Sequence, residues 1–214
     1  MINQLIIKGF KSFVDKSINF NQLNVLTGLN SSGKSTVIQA LQILNKYSRH
    51  FENPLIEGHG DYKELQNPFS SLPFSINAKY GEHGIICYSP QKENNIHTEE
   101  FPDLIVISAD RYGPLVSIPL LSDCELGSRG ENVIKCIRVH ENDILDKLIT
   151  HPNSEGDTFL YNLRAWLGTI TPGVQFNYDI IDKADTSFSL FNGYRAKNVG
   201  FGLSYTCLLY TSPS

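Results

Sequence analysis

Gly28-Leu29-Asn30-Ser31-Ser32-Gly33-Lys34-Ser35-Thr36 governs how the rest of the chain is read. Its Gly-x-x-x-x-Gly-Lys-Ser spacing is that of a phosphate-binding loop. Gly28 and Gly33 permit a tight turn and close approach of backbone to ligand. Successive backbone N–H groups of the loop, Asn30, Ser31 and Ser32 among them, then face one point and form a nest for an anion. A helix opening at Lys34 aims the positive end of its dipole at the same place. Lys34 is positioned to reach the β- and γ-phosphates of a nucleotide, the Ser35 hydroxyl to bind Mg²⁺, and Thr36 to assist at the phosphates. Average residue usage makes a chance match in a chain of this length an event on the order of 1%.

The flanks agree with the loop. Asn24-Val25-Leu26-Thr27 is a short apolar run of the kind that forms a buried strand. After the loop, Val37, Ala40, Leu41 and Leu44 recur at helical spacing and predict one apolar helix face. Upstream, Leu5-Ile6-Ile7 and residues 17–20 read as two strands. Downstream, residues 47–73 are rich in loop signals such as Asn53-Pro54, Gly58, Gly60 and Pro68.

Residues 74–80 alternate with period two, and 84–88 follow after a short turn, which predicts a hairpin. Residues 89–103 read as an exposed loop. Leu104-Ile105-Val106-Ile107 reads as another buried strand. Two helices are expected between 130 and 149 and a third over 157–167, the last with Trp166 on its apolar side. Residues 174–180 alternate again and predict a hairpin with 188–192 across Lys183-Ala184-Asp185. Neither an internal repeat nor a sustained heptad is present.

Composition narrows the class of protein. Of 214 residues, 41% are hydrophobic and 19% charged, a globular balance that excludes collagen, a disulfide miniprotein and a disordered tail. No apolar run approaches the roughly 20 residues of a membrane span. The N-terminus is too polar for a secretory signal, so the expected location is cytoplasmic. Lys plus Arg is 18 against 22 for Asp plus Glu, so no global basic field advertises nucleic acid. Cys87, Cys124, Cys136 and Cys207 are scattered without zinc-ligand spacing, and reduced thiols are expected.

Other motifs weigh less. Asp110-Arg111-Tyr112-Gly113 follows the apolar run 104–107 and matches the DxxG of a GTPase. The guanine-reading motif that should accompany it is missing, so a strand end turning through Asp110 and Gly113 is the better reading. His83, His140 and His151 stand on polar stretches outside any ligand pattern and are expected at the surface. No nucleophile-elbow motif supports a hydrolase triad.

Residues 5–36, LIIKGFKSFVDKSINFNQLNVLTGLNSSGKST, resemble the N-terminus of ABC-type ATPase heads of the SMC, RecF and OLD-like group. The resemblance implies that Lys11, Ser12 or Phe13 lies beside the nucleotide. The absence of heptads between the loop and residue 200 favours the compact RecF- or OLD-like branch over the SMC branch. Residues 107–114, 127–131 and 198–205 are similar to blocks of prokaryotic AAA/ABC ATPases, relatives of which occur in anti-phage defence systems. By the same resemblance Gly200-Phe201-Gly202-Leu203-Ser204 corresponds to the ABC signature, and Gly202 and Ser204 would meet the γ-phosphate held by a second subunit. Its wording departs from the usual LSGGQ, and a glycine turn capped by Ser204 is the plainer alternative. Gln66 is a candidate for the Q-loop glutamine.

The resulting expectation is an α/β P-loop NTPase with ABC-ATPase-head-like mixed sheets and helices, C-terminally truncated. Residues 1–206 would be a partial head, with the P-loop at 28–36 and the signature-like block at 200–204. Residues 207–214, CLLYTSPS, resemble the translation of a transposase adapter used in library preparation and read as an artefact. Walker B and the catalytic base would lie beyond the truncation, so the catalytic residues stay unassigned and the truncated chain is expected to be inactive. The intact protein would bind ATP and Mg²⁺, pair as a homodimer around two nucleotides, and hydrolyse ATP in a DNA-related or defence role, with DNA or a nuclease as partner. The rivals are a nucleotide-gated scaffold with little turnover, a P-loop kinase and a GTPase.

Overall fold

Alternating burial along the first strand sets up the N-terminal unit. In the computed structural model of the protein, which describes residues 1–50, 53–90, 96–120, 126–200 and 202–203, the chain divides into two units, Met1–Leu104 and Ile105–Ser214. In the first, β1 (Ile2–Phe10) turns Leu5 and Ile7 inward and ends on buried Phe10. It pairs antiparallel with β2 (Phe13–Asn19) on one side and β3 (Ser75–Tyr80) on the other. Next come β4 (Gly84–Tyr88) and the short β5 (Ile96–His97), giving the order β2-β1-β3-β4-β5. The hairpin read from residues 74–88 is β3 and β4, registered Tyr80↔Gly84 to Ile76↔Tyr88.

The P-loop helix α1 (Lys34–Ser48) packs on β3 and β4. It buries Val37, Ala40, Ile43 and Leu44 against Leu5, Ile7, Phe74, Ile76 and Ile86. Ile43 takes the inward place expected of Leu41, which is half-buried. Each large aliphatic or aromatic side chain buried this way contributes about 1.5–3 kcal/mol. Phe10 and Phe74 meet with ring centroids 5.1 Å apart. The one-turn helix α2 (Tyr62–Leu65) is capped by Asp61, whose carboxylate accepts from the Lys63 and Glu64 N–H groups.

The second unit has its own core. Strands β6 (Ile118–Pro119), β7 (Phe176–Ile181), β8 (Thr186–Phe191) and β9 (Tyr194–Arg195) form an antiparallel sheet with β8 between β6 and β7. Helices α3 (Val133–His140) and α4 (Phe159–Ile170) join it in a cluster of Val133, Ile134, Ile137, Leu163, Leu167, Phe176 and Phe191. The α/β arrangement expected from sequence is present, and every ladder among the described residues is antiparallel.

Local expectations differ at five places. The loop expected over 89–103 contains β5 and buries Ser89 and Phe101, because Phe101 packs in the first core and the Ser89 hydroxyl donates to the Phe74 carbonyl. Residues 24–27 are not a strand, and Leu23 and Val25 are 81% and 75% exposed. Apolar composition marked them for burial, but a strand also needs a neighbour for its N–H and C=O groups, and no described strand pairs with them. Residues 104–107 likewise form no strand; the run straddles the division between the units, and only Ile107 packs on the second core. Of the two helices expected between 130 and 149 only α3 forms, while Asp146 closes a turn by accepting from the Ile149 and Thr150 N–H groups. His151 is buried, not at the surface: its Nδ1 accepts from the Asn153 N–H, its Nε2 lies 3.0 Å from the Thr169 hydroxyl, and its ring meets Trp166 edge-on at 4.5 Å.

Candidate nucleotide-binding site

The loop between residue 27 and α1 is built by three left-handed residues. Gly28, Ser31 and Gly33 have φ of 149°, 63° and 95°. The two glycines adopt such angles at little cost. Both are also sterically closed to a side chain. A Cβ on Gly28 would come within 2.8 Å of Ser32 Oγ, and one on Gly33 within 2.7 Å of both Phe13 Cζ and Ser12 Oγ. The pattern Gly-x-x-x-x-Gly thus answers to real contacts here as well as to backbone freedom.

Gly33 is the cap residue of α1 and supplies no side chain to satisfy the first-turn N–H groups. The helix start therefore keeps its donors for an external acceptor. Lys34 curls back over the loop, its Nζ donating to the carbonyls of Gly28 at 2.8 Å and Leu29 at 2.6 Å. Its acceptors are neutral, so its positive charge stays at the mouth of the nest. Ser35 is exposed at the helix start, where its hydroxyl can reach solvent or a metal. Thr36 is buried instead, so its side chain belongs to the base of the helix. Asn30, Ser31 and Ser32 are exposed, and the Ser32 N–H closes the loop onto the Leu29 carbonyl at 3.3 Å.

The turn between β1 and β2 forms one wall. Ser12 and Phe13 stand over Gly33, as the contacts above show. Lys11, left-handed at φ 49°, extends along α1 and donates from Nζ to Gln39 Oε1 at 2.7 Å. Burial lowers its pKa from the ordinary lysine value. The turn is held from below by the segment after α2. The Lys11 N–H donates to the Leu65 carbonyl, and the Asn67 N–H to the Gly9 carbonyl, both at 2.8 Å. The Asn67 side-chain amide donates to the Lys11 carbonyl at 2.6 Å. Gln66 is engaged in this scaffold: its Oε1 accepts from the Phe74 N–H and its Nε2 donates to the Leu72 carbonyl.

These residues suit a polyphosphate. The loop offers backbone donors, the Lys34 ammonium and the exposed Ser35, and no carboxylate forms an ion pair with Lys34, or with Lys11 in the adjoining turn, among the described residues. A family model described as an AAA ATPase domain matches residues 1–185, which contain the whole loop and its wall. The chain belongs to the AAA ATPase domain family. Its fold is the P-loop NTPase α/β fold, with antiparallel sheets and helices.

Two solved structures are similar over most of the chain. One is the recombination mediator protein RecF with ATP, 11% identical, TM-score 0.45, covering 98% of this chain and 78% of that one. The other is the same mediator as RecF-ATPrS, 13% identical, TM-score 0.49, covering 99% and 79%. A search of curated proteins gave no match.

Residues 107–114, 127–131 and 198–205 belong to the second unit. Residues 108–113 and 127–131 are laced together: Ser108 N–H donates to the Ser128 carbonyl at 2.8 Å and Tyr112 N–H to the Arg129 carbonyl at 2.7 Å. Arg129 stacks over the Tyr112 ring and pairs with Asp110, which is 84% exposed. Asp110 thus has a partner that its DxxG setting did not announce. Gly202 is described; Ser204 and the tail 207–214 lie outside the described residues. Gln39 and Asn67 escaped sequence reading. Gln39 carries no motif, and the bond of Asn67 to Lys11 spans 56 positions.

Proposed function

We propose that this protein binds ATP with Mg²⁺ on the loop 28–36 and hydrolyses it, as an ATPase of the SMC, RecF and OLD-like type. The single observation that carries this reading is the loop itself: left-handed Gly28, Ser31 and Gly33 before an uncapped helix start, with Lys34 across its mouth. Lys34 would leave its carbonyl acceptors for the β- and γ-phosphates, exchanging neutral acceptors for charged ones and so making stronger bonds. Ser35 would hold the metal, which supplies charge neutralisation at the phosphates. Lys11 and Ser12 would border the nucleotide.

Within this reading, two copies pair around two nucleotides, with Gly202 and Ser204 of the signature-like block facing the γ-phosphate of the other copy. A role in DNA transactions or anti-phage defence, with DNA or a nuclease as partner, fits the sequence resemblance. The test is turnover. The protein hydrolyses ATP and Lys34→Ala abolishes it; unchanged turnover in that variant overturns the proposal.

A further inference from the structure

Lys11 is costly to order, and its ordering is not explained by the fold alone. Fixing a lysine side chain gives up more rotamer freedom than fixing most others. Its backbone is already pinned by Leu65 and Asn67 and held at φ 49°. Nevertheless its ammonium is drawn down onto α1, to Gln39 Oε1. Gln39 lies five residues beyond Lys34, about 7.5 Å along the helix axis. That one neutral amide oxygen is the acceptor Lys11 has among the described residues, and none of the ion pairs involves it. A partly desolvated cation with no counter-charge is an unfavourable arrangement unless an anion completes it. The lowered pKa, caused by burial, reports the same deficit.

We propose that Gln39 is a positioning residue that holds the Lys11 ammonium on the flank of the P-loop helix as a second cation for the bound nucleoside triphosphate. The proposal rests on the nucleotide reading above and names a residue and a pairing within that site. Gln39 suits the task because its amide oxygen orients the ammonium without cancelling its charge. A glutamate at the same place would keep the tether and neutralise the cation. Ser12 and Phe13, next in sequence to Lys11, stand over Gly33, which brings the turn that carries Lys11 to the loop.

The test is equilibrium binding of fluorescent ATP with Mg²⁺ to the full chain, for wild type, Lys34→Ala, Lys11→Met, Lys11→Arg, Gln39→Leu, Gln39→Glu and the Lys11→Met/Gln39→Leu pair. Lys11→Met and Gln39→Leu each weaken binding on the order of tenfold, the scale of one hydrogen bond to a charged group. The pair is no weaker than Lys11→Met alone, because the glutamine acts through the lysine. Lys11→Arg keeps most of the affinity, and Gln39→Glu loses it as Gln39→Leu does. The salt dependence of binding becomes shallower in Lys11→Met and Gln39→Leu, a change that a merely structural defect would not produce. Binding unaffected by Gln39→Leu, or losses that add in the pair, overturns the inference while leaving the P-loop reading intact. Binding unaffected by Lys34→Ala overturns the reading itself.

Discussion

Gly33 is the residue on which the site turns most sharply. Alanine there would meet two separate penalties: a left-handed φ of 95°, costing about 1–2 kcal/mol, and a Cβ pressed 2.7 Å from Phe13 Cζ and Ser12 Oγ. Gly33→Ala is therefore expected to lower stability by about 2–4 kcal/mol and to distort the nest. Adding Phe13→Ala relieves part of the clash and none of the backbone strain, so denaturant melts should show partial recovery. Full recovery would mean that φ carries no cost here. The tight turn at Gly28 and Gly33 and the helix start at Lys34 were legible in sequence because their spacing encodes local backbone geometry. The contact of Gly33 with Ser12 and Phe13 was not, since it joins segments about 20 positions apart through a sheet. The burial of His151 is hidden from local sequence for the same reason, since Asn162, Trp166 and Thr169 of α4 surround it.

Elements with a strong internal period were read well. Helix α1, the β3–β4 hairpin and the β7–β8 hairpin carry their pattern within a few residues. Residues 24–27 and 104–107 show the limit of that signal, because apolarity marks burial while strand formation depends on a neighbour elsewhere in the chain. The β1–β2 turn also depends on a distant segment, and Asn67 is its anchor. Asn67→Ala would leave the Lys11 carbonyl and the Phe69 N–H without their side-chain partner. We expect a loss of about 2–3 kcal/mol in a urea melt, accompanied by weaker nucleotide binding. In the second unit, Tyr178 on β7 donates to Glu141 just beyond α3. Burial first, and then the bond and the charge of Glu141, push its pKa up to about 12. A raised folded-state value means that this stabilisation is complete below pH 10 and is lost as the pH rises toward 12. Tyr178→Phe should thus lower stability at neutral pH and flatten the decline between pH 10 and 12. An unchanged alkaline profile would dissociate Tyr178 from it.

At the scale of the whole molecule, two separate apolar clusters hold the two units. The ion pairs among the described residues are at least 47% exposed at each side chain. Such pairs contribute about 0–1 kcal/mol each, so the clusters and not the charges carry stability. No described helix is long and apolar enough to cross a membrane. Two cations stand apart from this ledger: among the described residues Lys11 and Lys34 bond neutral oxygens and form no ion pair, and under the proposed reading their charge serves the nucleotide. If two copies close around ATP, light scattering should show ATP-dependent association of the protein that Lys34→Ala removes. The most direct measurement lies one step earlier, in equilibrium binding of ATP with Mg²⁺ to this chain and to its Lys34→Ala variant, with melting curves to show that both are folded. Saturable binding by the first, weakened at least on the order of a hundredfold in the second, is the predicted result. Equal binding by two folded proteins would contradict the assignment of residues 28–36 as the nucleotide site.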